Sequence, residues 1–158
     1  MFVFARAATY AALFIGLLLV FLPGRILSSS GVPQPSAIGA WQLAGMLLGA
    51  SGAALALTCI LTFVFVGRGT PAPFDPPRRL VVRGPYRLVR NPMYLGAGLA
   101  MAGAAVFYQS LALLAYAGVF LLISHLFVVL YEEPALRRAF EGDYEAYCGR
   151  VGRWWPRW

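Results

Sequence analysis

The chain has 158 residues, of which 60% are hydrophobic and only 12% charged, with a formal net charge of +7. This composition is far from that of soluble domains and places the chain in a membrane. All 13 basic residues are arginine, and no aromatic or arginine pattern forms a nucleic-acid reading element. The positive charge therefore reads as a topology signal and as contact with anionic head groups, with no nucleic-acid partner. The two cysteines, Cys59 and Cys148, have no paired spacing, which excludes a disulfide framework and a metal site.

Four apolar segments are expected to span the bilayer, approximately residues 2–22, 41–66, 92–108 and 111–131. About 20 helical residues cross a bilayer core, so the second and fourth qualify by length and the third is short. The first is interrupted only by Arg6. No small-x-small cleavage site follows it, so it reads as a retained span rather than a signal peptide. Ser28 to Ser36, with Pro33 and Pro35, reads as a polar external loop. The last two spans are separated by little more than Gln109-Ser110 and read as a tight helical hairpin.

Arginine placement is lopsided. The loop from Gly67 to Arg90 holds Arg68, Arg78, Arg79, Arg83, Arg87 and Arg90, and the tail holds Arg137, Arg138, Arg150, Arg153 and Arg157. The loop from Pro23 to Ala40 has only Arg25. The positive-inside rule then predicts a multi-pass protein with both termini and both arginine-rich stretches in the cytoplasm. The expected fold is an all-α polytopic bundle of about four transmembrane helices, with a proline-rich cytoplasmic loop and a C-terminal amphipathic helix. Residues 1–158 read as one membrane-embedded domain.

Polar residues gather at two places. In the loop, Pro71, Pro73, Pro76, Pro77 and Pro85 block a regular helix, and Leu80-Val81-Val82 is expected to run extended. Asn91-Pro92 then opens the third span with a good N-cap and a favoured first residue. Helix amides and Arg90 converge there, which suits a carboxylate or other anion, although a plainly well-capped helix explains the same residues.

The second place is the end of the fourth span. His125 and Glu132 are seven residues apart and are expected to share a helix face. His125 is either interhelical glue or a functional group. Glu132-Glu133 is either a site or a solvated end that pairs with arginines. Pro134 is expected to kink or restart the helix, and Ala135 to Cys148 to form an amphipathic helix through Leu136, Phe140, Tyr144 and Tyr147. The terminal Trp154-Trp155 reads as an interfacial anchor, with cofactor stacking as the alternative. Gly96, Gly98 and Gly103 read as close helix packing.

These two clusters resemble the integral-membrane methyltransferases, the superfamily of isoprenylcysteine carboxyl methyltransferases and phospholipid N-methyltransferases. Its hallmark Gly-x-Tyr-x-x-x-Arg-His-Pro-x-Tyr-x-Gly corresponds to Gly84, Tyr86, Arg90, Asn91, Pro92, Tyr94 and Gly96. Its Glu-Glu-x-x-Leu and Phe-Gly-x-x-Tyr-x-x-Tyr stretches correspond to Glu132, Glu133 and Leu136, then Phe140, Tyr144 and Tyr147; Val151 and Arg153 continue the pattern. The resemblance covers roughly residues 78–153.

The resemblance implies a pocket for S-adenosylmethionine, with S-adenosylhomocysteine as product. It implies cofactor contacts from Arg78, Arg79, Leu80 and Val81, largely through backbone groups, and from Tyr86, Arg90, Asn91, Pro92 and Tyr94. Glu132 is expected to hold a polar part of the cofactor. Many members have His where this chain has Asn91, which cannot titrate near neutrality; a general base, where one is needed, would have to come from elsewhere, with His125 as a candidate. The acceptor would be a lipophilic small molecule or lipid drawn from the membrane, isoprenylcysteine-carboxylate-like or phospholipid-amine-like. Two other readings compete. A small transporter subunit would carry an acid within a span, and none of the six acids lies there. A noncatalytic adaptor would tolerate replacement of Tyr86, Tyr94 and Glu132.

Overall fold

A computed structural model describes residues 9, 12, 13, 16–67 and 80–157. The described residues are largely helical, and no β-strand occurs among them. A π-helical turn, Gly16–Phe21, leads into α1 (Leu22–Ser30). Helix α2 (Ala40–Thr62) ends in a second π turn, Phe63–Gly67. After a 3-10 turn at Gly84–Arg87, α3 (Pro92–Phe107) and α4 (Leu111–Phe127) form a hairpin. A third π turn, Val128–Glu132, joins α4 to α5 (Glu133–Arg150).

Two continuous helices are long and apolar enough to cross a membrane, Ala40–Val66 with 27 residues and Leu111–Arg150 with 40. The second is about twice the length a bilayer core requires, so its polar half extends beyond the apolar part. Gly16–Ser30 and Pro92–Phe107 are shorter apolar helices. The 16 residues of α3 cover about 24 Å.

Helices α2 and α3 are in backbone contact, antiparallel, along a stripe of glycines. A Cβ built on Gly103 would lie 2.4 Å from the Gly49 nitrogen, and one on Gly52 would lie 2.5 Å from the Ala100 nitrogen. Gly45 and Gly96 are as tightly opposed, by Phe107 and Ala56. Lipid is as apolar as leucine, so helices in it associate through van der Waals contact, and small residues maximise that contact. The expected packing role of Gly96 and Gly103 is realised against α2, whereas Gly98 faces Leu121 of α4. At the far end of the pair, the buried Gln42 amide is satisfied twice. Its Nε2 donates to the Phe107 carbonyl at 3.1 Å, and its Oε1 accepts from the Gly39 N–H at 3.1 Å.

The α3–α4 hairpin turns through Gln109, in the left-handed region at φ 49°, and Ser110, whose Oγ accepts from the Leu113 N–H at 3.3 Å. Ala97, Met101, Ala117 and Phe120 form its core. The Tyr116 hydroxyl donates to the Leu18 carbonyl at 3.0 Å, inside the first π turn.

Three boundaries differ from expectation. The first apolar helix runs through Pro23 to Ser30 and stops at Gly31, with φ 63°, instead of ending near Leu22. The π turn before it spaces the backbone so that a proline lacking an N–H is accommodated. Most of the predicted span 2–22 lies outside the described residues. Helix α4 passes into α5 without a stop, because the π turn just upstream of Pro134 absorbs that proline in the same way. The amphipathic helix is in turn broken at Glu141, at φ 40° and ψ −118°, a conformation no helix contains.

The side chains of Leu80 to Val82 alternate between two clusters, as the expected extended run would place them. Val81 is buried with Cys59 and Tyr86 against the end of α2, while Leu80 and Val82 pack on Tyr144, Tyr147 and Val151. The loop thus cements α5 to the helical bundle.

Overpacking the glycine stripe should be costly. Gly103→Ala is expected to destabilise the detergent-solubilised protein by about 1–3 kcal/mol, read as earlier thermal unfolding. Gly118→Ala, where an added Cβ meets nothing within 4 Å, should leave stability unchanged or raise it. Equal melting of the two variants would contradict backbone contact between α2 and α3.

Candidate active site

The polar residues converge where α3 begins and α4 passes into α5. Pro92 opens α3 and is fully buried. Asn91 occupies the N-cap position, but its side chain makes no capping hydrogen bond. Its Nδ2 instead donates to the Arg153 carbonyl at 3.2 Å. That corrects the expectation of an Asn cap: the C-terminal segment offers this buried amide an acceptor.

The two consecutive glutamates then separate by helix geometry. Neighbouring residues on a helix point about 100° apart, so Glu132 and Glu133 cannot serve one partner. The Tyr94 hydroxyl donates to Glu132 Oε2 at 3.0 Å. Glu133 receives two guanidinium groups. Arg153 binds it through both Nε and Nη2, at 2.7 and 2.9 Å, and Arg90 Nη1 lies 3.1 Å from Oε1. The side chains of Arg90 and Glu133 are only 9% and 7% exposed.

Both glutamates lie past the apolar segment that ends at Tyr131, and their electrostatics diverge. Burial raises the Glu132 carboxyl above its ordinary range, the Tyr94 hydrogen bond pulls it back in part, and the Glu133 charge raises it further. Burial acts on Glu133 too, but the Arg153 hydrogen bonds and the Arg90 charge outweigh it, and the carboxyl is held below its ordinary range. Among the described residues Glu132 has no cationic partner.

Arg90 is heavily engaged. Besides Glu133, its Nη1 donates to the Tyr144 hydroxyl at 3.4 Å and to Cys148 Sγ, and its backbone N–H donates to the Gly152 carbonyl at 2.9 Å. Its Nε is buried without a hydrogen-bond partner among the described residues. Tyr86 is buried edge-on to Phe63, with ring centroids 5.3 Å apart, and its carbonyl accepts from the Tyr147 hydroxyl at 2.7 Å. Burial raises the Tyr86 phenol well above its usual value, so it stays neutral.

Of the residues expected to line a ligand, Leu80, Val81 and Tyr86 belong to the packed layer behind the α3 N-terminus. Arg90, Asn91, Pro92, Tyr94 and Glu132 gather at the junction itself. Arg78 and Arg79 lie outside the described residues. His125 accepts a hydrogen bond at Nδ1 from Trp154 Nε1, at 3.0 Å. The π turn between it and Glu132 offsets the register, and each takes a different partner. Sequence reasoning offered pairing with arginines only as the alternative for Glu132-Glu133, and did not identify Arg90 and Arg153 as the partners or Glu133 as the residue that takes both. The available signal was the doubled glutamate, of which one must be neutralised when both are drawn into a low-dielectric end.

Comparison with known families identifies the chain's family. The profile of the phospholipid methyltransferase family matches residues 41–143, which is well over half of the chain and includes α2, the arginine-rich loop, the α3–α4 hairpin and both glutamates. No curated protein and no solved structure matches the chain. The matched segment carries both polar clusters and the apolar hairpin between them, and the chain belongs to the phospholipid methyltransferase family of the membrane methyltransferase superfamily.

Proposed function

We propose that this chain transfers a methyl group from S-adenosylmethionine to a lipophilic acceptor that reaches the site from the membrane. The observation that carries this reading is Glu132, a carboxylate drawn into the protein, hydrogen-bonded to Tyr94 and lacking a cation among the described residues. Among the described residues the buried Arg90 Nε is likewise a donor without an acceptor. A ligand bearing both a carboxylate and cationic or hydroxyl donors suits such a pair of unspent groups. The methionyl and ribose parts of S-adenosylmethionine have that character, so the donor set fits the cofactor.

In this reading Glu132 accepts from the cofactor's ammonium or ribose hydroxyls, held in place by Tyr94. Arg90 and the α3 N-terminal amides face its carboxylate. Tyr86 and Val81 form a dry wall behind, and Asn91 and Pro92 set where α3 begins. When bound, the cofactor supplies a methyl group activated for direct displacement. The protein's contribution is alignment and exclusion of water rather than covalent chemistry. A carboxylate acceptor needs no base, whereas a protonated amine must first lose a proton. His125 is a poor base at Nδ1, which is already occupied by Trp154.

The same reading takes the two long helices and the two shorter apolar ones as four spans of a single domain. Arginine placement then sets the site and both termini on the cytoplasmic side. The donor arrives from water and the acceptor laterally from lipid, isoprenylcysteine-like or phospholipid-amine-like.

The two glutamates separate these roles experimentally. Glu132→Gln is expected to weaken S-adenosylhomocysteine binding at least 10-fold in calorimetry while leaving thermal unfolding nearly unchanged; unchanged affinity removes Glu132 from the site. Glu133→Ala leaves the buried Arg90 unpaired and should cost about 3–5 kcal/mol of stability. Because the folded protein holds Glu133 below its unfolded value, the stability it contributes is present above the ordinary carboxylate range and is lost as pH falls through the depressed value. Unfolding temperature followed from pH 7 downward should therefore drop in the wild type, and more gently in Glu133→Gln.

A further inference from the structure

The last residues, Val151 to Arg157, lie beyond the family match and form neither a helix end nor a free tail. Val151 is extended, at φ −122° and ψ 126°, and Gly152 makes an isolated parallel bridge to Val89. From there Gly152, Arg153, Trp154 and Arg157 tie the segment to the α3 N-terminus, α4 and α5. The Gly152 carbonyl accepts from the Arg90 N–H, and the Arg153 carbonyl accepts from Asn91 Nδ2. The Arg153 guanidinium binds Glu133, and Trp154 Nε1 donates to His125 Nδ1. Arg157 Nη1 then folds back onto the Cys148 and Gly149 carbonyls, at 3.0 and 3.4 Å. The segment is a strap across the α3 N-terminus and the α4–α5 junction.

Tight local packing supports a formed strap. A Cβ on Gly152 would fall 2.0 Å from the Trp155 carbonyl oxygen, so the chain turns there where only glycine fits. The two neighbouring tryptophans have different environments. Trp155 is 81% exposed, as an interfacial anchor would be. Trp154 is turned inward, with its ring centroid 6.0 Å from that of His125. Since His125 Nδ1 is the acceptor, its own ring proton sits on Nε2, the tautomer this bond requires.

We infer that the His125–Trp154 hydrogen bond is a latch that positions the ligand-facing residues through the strap. His125 and Trp154 are positioning residues, acting through Arg153 on Asn91 and, by way of Glu133, on Arg90. His125 is the one polar side chain of α4's apolar stretch to which the strap is fastened. Without that bond the strap keeps its contacts to the α3 and α5 ends but loses its tie to α4. The claim about ligand affinity rests on the proposed cofactor reading; the claim that the bond fastens the strap does not.

The test uses the full chain in detergent, with two readouts. One is the rate at which N-ethylmaleimide alkylates Cys148, whose Sγ accepts from Arg90 Nη1, the guanidinium that the strap positions by way of Glu133; Cys59, buried in α2, is the internal control. The other is calorimetric titration of S-adenosylhomocysteine. His125→Leu removes the acceptor, Trp154→Phe removes the donor but keeps an aromatic ring, and His125→Asn returns an acceptor oxygen near the Nδ1 position. Each of the first two should speed alkylation and weaken binding roughly 3–10-fold, the range expected for one neutral hydrogen bond. Their combination should be no worse than either alone, and His125→Asn should restore both readouts. Unchanged alkylation and affinity in a binding-competent background, or losses that add in the double variant, overturn the latch. If His125→Leu fails to fold, Trp154→Phe against wild type decides the matter. Failure of the wild-type protein to bind S-adenosylhomocysteine sinks the cofactor reading instead, and alkylation alone then judges the strap.

Discussion

The close approach of α2 and α3 is the constraint on which the rest depends. Four glycines leave no room for a Cβ between the two backbones, so the relative height of the helices is set to within a fraction of a turn. That registration brings Cys59 and Phe63, where α2 ends, against Tyr86 in the 3-10 turn and Met93 at the start of α3. The loop between them must therefore return to the bundle at a defined place. Once it does, Val81 plugs one side and Leu80 and Val82 receive the tyrosines of α5. Dispersion along an apolar seam thus governs where the polar residues end up.

At the polar end the governing term is the cost of burying charge. A lone buried carboxylate is expensive, and breaking a buried pair is worse than never having had one. Glu133 is matched by two guanidinium groups and one of them, from Arg153, is bidentate. Glu132, one residue earlier, has a phenol for company. Such asymmetry between adjacent identical residues argues for different duties. Glu133 joins three elements, whereas among the described residues Glu132 has only the Tyr94 phenol. A buried carboxylate with a shifted pKa and no neutralising partner among the described residues is the feature on which the proposed cofactor reading rests.

Much of this arrangement was legible in the sequence, and what was not has physical reasons. Composition and the uncharged run from Trp41 to Val66 made the membrane class plain, and Gln109-Ser110 marked the hairpin. The Arg90-Asn91-Pro92 boundary was placed correctly, because proline's fixed φ and missing N–H act locally. The direction of the Asn91 side chain was not, since its acceptor is a carbonyl 62 residues away. The helix ends at Ser30 and beyond Tyr131 were missed for a shared reason. Proline is an expected breaker, and a π turn just before it removes the penalty without any signature in residue type. The break at Glu141 is likewise invisible, although Gly142 beside it is a weak hint. His125 was read as either glue or chemistry, and only the strap reveals its partner.

The π turn at Val128–Glu132 carries one further consequence. A π turn accommodates an extra residue in an α-helix without changing the path of either flank. It stands between the apolar hairpin and the charged junction, so a length change in α4 can be taken up there. An α4 one residue longer or shorter would then leave Glu133 bound to Arg153. One irregular turn thus uncouples the length of the apolar hairpin from the position of the Glu133 clamp.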